Sequence, residues 1–133
     1  MDLDKIKQIF REISEVKLAY LFGSQATGKT GPLSDYDFAV YLDEELTDFE
    51  MFDIKTKLLD RIGRSLKTDK VDVVVLNQTE KPELKYHVIK DGQLIHEEEP
   101  YRLLVEPKIL NLYFDFMTGL QKNNLTSVKP DDT

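Results

Sequence analysis

One stretch constrains this chain more than any other. Leu21-Phe22-Gly23-Ser24 is followed by ten residues, then by Asp35-Tyr36-Asp37 and the apolar Phe38-Ala39-Val40. Glycine at 23 removes the Cβ that would hold a ligand away from the backbone. The Ser24 hydroxyl and neighbouring N–H groups can then meet a phosphate. Asp35 and Asp37 alternate along an extended segment, so their carboxylates share a face. Paired hard oxygen ligands suit Mg²⁺, which commonly takes one or two carboxylates plus substrate phosphates.

The same residues satisfy a second phosphate-binding pattern. Gly23 to Thr30 reads G-x4-G-K-T, the form of a P-loop. A P-loop needs a helix starting at Lys29-Thr30, with its N-terminus facing the phosphates. Gly31-Pro32 follow at once, and both oppose a helix. The next apolar run then begins about six residues on, too few for the crossover of about a dozen residues that a parallel βαβ unit requires. A helix-free loop running into Asp-x-Asp accounts better for the glycines. Lys29 stays a candidate phosphate ligand from that loop, against a solvated loop lysine.

At 133 residues one domain is expected. The absence of cysteine excludes disulfides and thiolate metal sites. Apolar runs are all shorter than a membrane span, and the N-terminus is unlike a signal peptide, so a cytoplasmic location with no membrane is the expectation. The net charge of −7 repels nucleic acid in the absence of a basic patch. Lys55, Lys57, Arg61 and Arg64 cluster on one expected helix and read as a solvated face.

Along the chain, Leu3, Ile6, Ile9, Phe10 and Ile13 recur at helical spacing. Strands are expected at Lys17–Phe22 and Tyr36–Leu42. The short link between them favours antiparallel or mixed pairing. Thr47-x-x-Glu50 is a capping box opening a helix whose apolar face runs from Met51 to Leu66. Gly63 within it marks either close packing or an early helix end. Val71–Leu76 is β-branched and reads as a central strand covered on both faces. Asp72 is then an anomaly unless it faces a cleft or finds a partner. A short helix from Pro82 and an edge strand at Gln93–His96 follow. The last helical pattern carries Pro107, which predicts a kink or two successive helices. Its Met and aromatic stripe serves either the core or a partner. His87 and His96 lack any recognisable catalytic spacing and read as structural or surface residues. The domain is expected to span 1–121, and the polar residues 122–133 to be a disordered tail.

Gly23-Ser24, Asp35-x-Asp37 and Asp72 together resemble the signature of the polymerase-beta-like nucleotidyltransferase superfamily. The match covers about residues 15–76. The small size of the chain is similar to that of minimal nucleotidyltransferases encoded beside HEPN-domain toxins. The resemblance implies an α/β (α+β) fold, a small mixed sheet flanked by helices. It implies catalysis and metal binding by Asp35, Asp37 and Asp72, with two Mg²⁺ ions, and nucleotide binding by Gly23, Ser24 and Lys29. It implies an antitoxin that moves AMP from ATP onto a tyrosine of its HEPN ribonuclease partner, with no direct nucleic-acid contact. An acidic enzyme docking on a basic RNA-binding toxin fits this charge balance. The chain departs from its relatives in carrying Gln25 and Thr27 where arginines often follow Gly-Ser. The C-terminal helix of the family is matched loosely by Arg102, Glu106, Tyr113 and Asp115. Two other readings stay open: transfer to a small hydroxylated acceptor such as an aminoglycoside, and a non-catalytic antitoxin that acts by binding alone.

Overall fold

The computed structural model describes residues 1–23 and 36–122. Ser24, Lys29, Asp35 and residues 123–133 of the expected 122–133 tail lie outside the described residues, whereas Lys122 ends the last helix. Helix α1 (Leu3–Glu12) begins where the Asp2 side chain accepts the Lys5 N–H. It buries Ile6, Ile9 and Phe10. Strand β1 (Val16–Phe22) pairs antiparallel with β2 (Tyr36–Leu42). That antiparallel pairing decides against the P-loop, whose βαβ unit would make the two strands parallel.

Helix α2 (Asp48–Leu66) carries both halves of the capping box: Glu50 N–H donates to Thr47 Oγ1, and Thr47 N–H to Glu50 Oε1. The helix runs through Gly63 to its end. A Cβ at 63 would lie 3.1 Å from the Thr68 carbonyl oxygen, so the glycine marks close packing rather than termination. The α2 crossover makes β3 (Val71–Val75) parallel to β2. Helix α3 (Pro82–Asp91), strand β4 (Gln93–Glu97) and helix α4 (Tyr101–Lys122) complete the described residues.

The sheet order is β3-β2-β1-β4, mixed and four-stranded. Strand β3 is therefore an edge strand, not the central one its β-branched run suggested. The valines report a face packed on α2, where Val73 and Val75 are buried, rather than a neighbour on each side. The second departure is Pro107, which lies within one helix, Tyr101–Lys122, rather than between two. Pro107 cannot donate to the Leu103 carbonyl, but both residues lie on the exposed side of α4, where water can serve that oxygen.

Helices α1 and α2 cover one face, on Phe38, Val40, Leu42, Val73 and Val75. Helices α3 and α4 cover the other, where Val88, Val105 and Ile109 pack on Leu18, Tyr20 and Ala39. The apolar stripe of α4 divides between both roles: Val105 and Ile109 are buried, whereas Leu103, Leu104, Leu112 and Phe114 are exposed. Two of the four basic residues of α2 have acidic partners. Arg61 pairs with Glu12 of α1, and Arg64 with Asp60. No helix among the described residues is long and apolar enough to cross a membrane.

Candidate active site

Strand parity and register assemble the site. Phe38 and Val40 face α1 and α2, so Asp37 faces the opposite side with Ala39. On β3, Val73 and Val75 face α2, so Asp72 points the same way as Asp37. Asp37 and Asp72 are direct register partners in the parallel β2–β3 ladder. Neighbouring strands lie about 4.8 Å apart, so the two carboxylates stand side by side.

Hydrogen bonds at each end of the ladder hold that register. Tyr36 N–H donates to the Lys70 carbonyl at 2.9 Å. Beyond the end of β3, the Asn77 side chain both accepts from Leu42 N–H at 2.8 Å and donates to the Leu42 carbonyl at 2.9 Å. A slip of one residue would turn Asp72 to the buried face. Asp72 is exposed at the strand start, and its Oδ1 accepts its neighbour's Val73 N–H at 2.9 Å. The burial penalty that made a carboxylate anomalous here therefore does not arise.

Gly23 ends β1 with φ +79°, a left-handed conformation that side chains rarely tolerate. A Cβ built on it would lie 2.6 Å from Asp37 Oδ2. The glycine thus makes room for the carboxylate itself, a reason additional to ligand approach. Gly23, Asp37 and Asp72 are brought together at one end of the sheet.

Two further features were not anticipated. Leu84, His87 and Asp91 of α3 form a cleft with Phe22 and Gly23, beside Asp37. Their i, i+3, i+7 spacing was the available signal. The second is a polar pin between sheet and α4. Tyr20 O–H donates to Glu106 Oε2 at 2.6 Å, and Arg102 Nε donates to the same oxygen at 3.2 Å. Burial, then the Glu106 carboxylate, pushes the Tyr20 phenol far above its ordinary range. Glu106 thus ties α4 to β1, with Arg102 on the same carboxylate. Tyr113 stacks on Tyr86 at 3.9 Å between centroids, and Asp115 is exposed.

A family model described as polymerase beta, nucleotidyltransferase, matches residues 4–101. The protein adenylyltransferase MntA of Aphanizomenon flos-aquae is 33% identical over 97 residues, 68% of this chain and 63% of that protein. The match thus spans less than two-thirds of that relative's length. A crystal structure of a toxin–antitoxin with AMP-PNP has a TM-score of 0.75 at 24% identity, covering 92% of this chain and 94% of that one. The complex of tri-AMPylated Shewanella oneidensis HEPN toxin with MNT antitoxin gives 0.67 at 23%, covering 90% of each chain. At these identities the structural likeness speaks for the fold. The model match covers most of the chain and includes Gly23, Asp37 and Asp72, and on that ground the chain belongs to the polymerase beta nucleotidyltransferase family.

Proposed function

We propose that the chain is a Mg²⁺-dependent nucleotidyltransferase that moves AMP from ATP to a protein hydroxyl, a tyrosine of a HEPN toxin partner. The observation that carries this reading is the Asp37–Asp72 register pair beside Gly23. Two hard carboxylates on one face, next to an open backbone turn, fit a divalent cation shared with substrate phosphates. Among the described residues no three His, Cys, Asp or Glu side chains gather as a metal site. Further oxygens would come from Asp35, two residues before Asp37, and from the nucleotide. When bound, the ions neutralise the triphosphate and make a nearby hydroxyl more acidic.

In this reading Asp37, with Asp35, would hold the metal ions at the α-phosphate end of the nucleotide, and Gly23 and Ser24 would hold the terminal phosphates. Lys29 adds a positive charge to them. Asp72, exposed on the edge strand, meets the acceptor and receives its proton. The acceptor oxygen bonds to the α-phosphorus, the bond to the β-phosphate oxygen breaks, and pyrophosphate leaves. Placement and charge neutralisation supply the rate enhancement. A protein acceptor is supported by the relative named protein adenylyltransferase and by the exposed apolar side of α4. A cytoplasmic antitoxin role belongs to the same proposal.

The test is label transfer to the co-purified partner. Label from α-phosphate-labelled ATP should enter a partner tyrosine, and γ label should not. Asp72→Asn should keep nucleotide affinity and lose most turnover. Lys29→Ala should lose affinity only modestly. Entry of γ label alone would make the protein a kinase. Neutralisation of the partner without either label would leave binding alone as its mode of action.

A further inference from the structure

Strand β3 ends the sheet, and among the described residues no strand pairs with its outer side. The ends of its ladder fix which backbone groups face outward. Tyr36 N–H donates to the Lys70 carbonyl at 2.9 Å, and Leu76 N–H to the Val40 carbonyl at 2.8 Å. Backbone groups alternate in direction along a strand, so Lys70, Asp72, Val74 and Leu76 bond to β2, whereas Val71, Val73 and Val75 turn theirs away from the sheet. Exposed edges are commonly blunted by lysine, proline or a bulge. The run Val71-Asp72-Val73-Val74-Val75 contains neither residue, and its register with β2 is unbroken. Two outward groups are taken locally. Asp72 Oδ1 accepts Val73 N–H, and the Val75 carbonyl accepts the turn amides of Gln78 and Thr79. An apolar ledge runs beside this edge. Phe52, Leu59 and Leu66 recur at i, i+7 and i+14 on α2, on the flank opposite Arg61, which pairs with α1. Helix α1 packs over β1 and β4, and α2 over β3, so that flank overhangs the outer edge. Phe52 is exposed, and Leu59 and Leu66 are only partly buried.

We propose that the outer edge of β3 docks the protein acceptor, which adds an extended, tyrosine-bearing segment as a fifth strand with its tyrosine in register with Asp72. The inference rests on the nucleotidyl-transfer reading above and names the form of its acceptor. Main-chain hydrogen bonds to Val71, Val73 and Val75 supply the grip, and alternate side chains supply the specificity. A residue paired with Asp72 stands on the same face of the sheet as Asp72 and Asp37, about 4.8 Å from the nearer one. The row then reads acceptor, Asp72, Asp37, the order that proton removal by Asp72 requires. The residues on either side of the tyrosine point to the other face, where Phe52 and Leu59 favour apolar side chains. Asp72 couples docking to chemistry. Its carboxylate now holds the Val73 N–H, and a carbonyl of the incoming strand would take that donor and release it. Charge selects the occupant. The chain carries −7, and Asp37 and Asp72 stand at this edge, so a second copy would bring like charge to like. A neutral or basic segment of another protein would not.

The experiment follows label from α-phosphate-labelled ATP, with Mg²⁺, into the separated partner protein as the varied acceptor. Phe52→Asp, on the exposed ledge, should raise KM for the partner about tenfold, the loss expected for one buried aromatic contact. Its ATP affinity and melting temperature should stay at the wild-type values. Val71→Pro removes an outward N–H that the β2–β3 ladder does not use, at a strand start where an edge accepts proline. It should raise the same KM by about tenfold. Phe52→Asp carries the test if Val71→Pro does not fold. Hydrogen exchange at the Val71 and Val75 amides should slow in the complex relative to the free chain. A wild-type KM in Phe52→Asp, or unchanged exchange at both amides in the complex, overturns the docking edge and leaves nucleotidyl transfer standing. So does a dimeric mass with slowed exchange in the chain alone, which gives the edge to a second copy. Absence of α label from the partner with the unaltered protein overturns both.

Discussion

On the side of the sheet facing α1 and α2, strand β2 presents Phe38, Val40 and Leu42, each fully buried. On the side facing α3 and α4 the same strand presents Asp37, Ala39 and Tyr41. The buried residues of the first side are all apolar, and Phe38 meets Phe10 with ring centroids 6.0 Å apart. The second carries the Asp37–Asp72 pair, the Tyr20–Glu106 bond and a cleft. Residues adjacent in sequence thus have separate duties. Strand alternation lets chemistry be installed on one face while the other retains the packing that holds the register.

The largest test of that separation uses two adjacent residues. Phe38→Ala empties a fully buried site and should cost about 3–5 kcal/mol, read by denaturant unfolding. Asp37→Asn should leave stability unchanged or slightly raised, because it removes one of two facing like charges. The same variant should lose nucleotidyl transfer almost entirely. A folded, fully active Asp37→Asn protein would remove Asp37 from the chemistry. A large stability loss in it would show that the two faces are not independent.

Gly23→Ala probes the join between the faces, at the end of β1. The new Cβ would meet Asp37 Oδ2, and the positive φ adds backbone strain of about 1–2 kcal/mol. The carboxylate must swing away from its place beside Asp72. Activity should therefore fall by far more than the change in melting temperature accounts for. Proportionate losses of activity and stability would mean that the glycine serves the turn alone.

Legibility in the sequence followed the same division. Helical spacing and the Thr47–Glu50 box located α1 and α2, because those signals are local. The short link after Gly23 favoured an antiparallel or mixed pairing over a parallel one, and β1 and β2 pair antiparallel. The β-branched run at 71–75 was misread as central, since it records covered faces and is silent about the number of neighbouring strands. Asp37 and Gly23 were visible from motif spacing. That Asp72 stands opposite Asp37 depends on register, which the distant Lys70 and Asn77 bonds hold. The cleft was beyond reach for a similar reason. Phe22 and His87 meet only through tertiary packing, and His87 alone looked like a surface histidine.

Tyr20→Phe tests the pin that ties α4 to the chemical face. It deletes the donor to Glu106 while keeping the ring. Glu106 retains Arg102, so the loss should be about 1 kcal/mol, the net worth of one hydrogen bond. Glu106→Gln in the Tyr20→Phe background should then cost little more, because the shared interaction is already gone. Additive losses in that cycle would place the stabilisation elsewhere on α4.

The smallest effect concerns pH and belongs to the other face. His96 stacks against Phe10 with centroids 6.3 Å apart, and its Nε2 lies 3.3 Å from the Val16 carbonyl oxygen. Burial pushes its pKa below the ordinary value of 6.5; the Val16 carbonyl and nearby Glu98 and Glu97 pull the other way, while Arg11 adds to the depression. Protons then bind the unfolded chain more readily than the folded one, so stability declines as pH falls through 6.5. Glu12 acts in a different window. Its carboxyl is held below 4.5 by Gln8 and then Arg61, and what it contributes is lost only on further acidification. Between pH 7.5 and 5.5 the wild-type melting temperature should therefore drop slightly more than that of His96→Gln, whose amide can still donate to Val16 but does not titrate. Equal slopes in the two proteins would show that burial at His96 imposes no cost on its charged form.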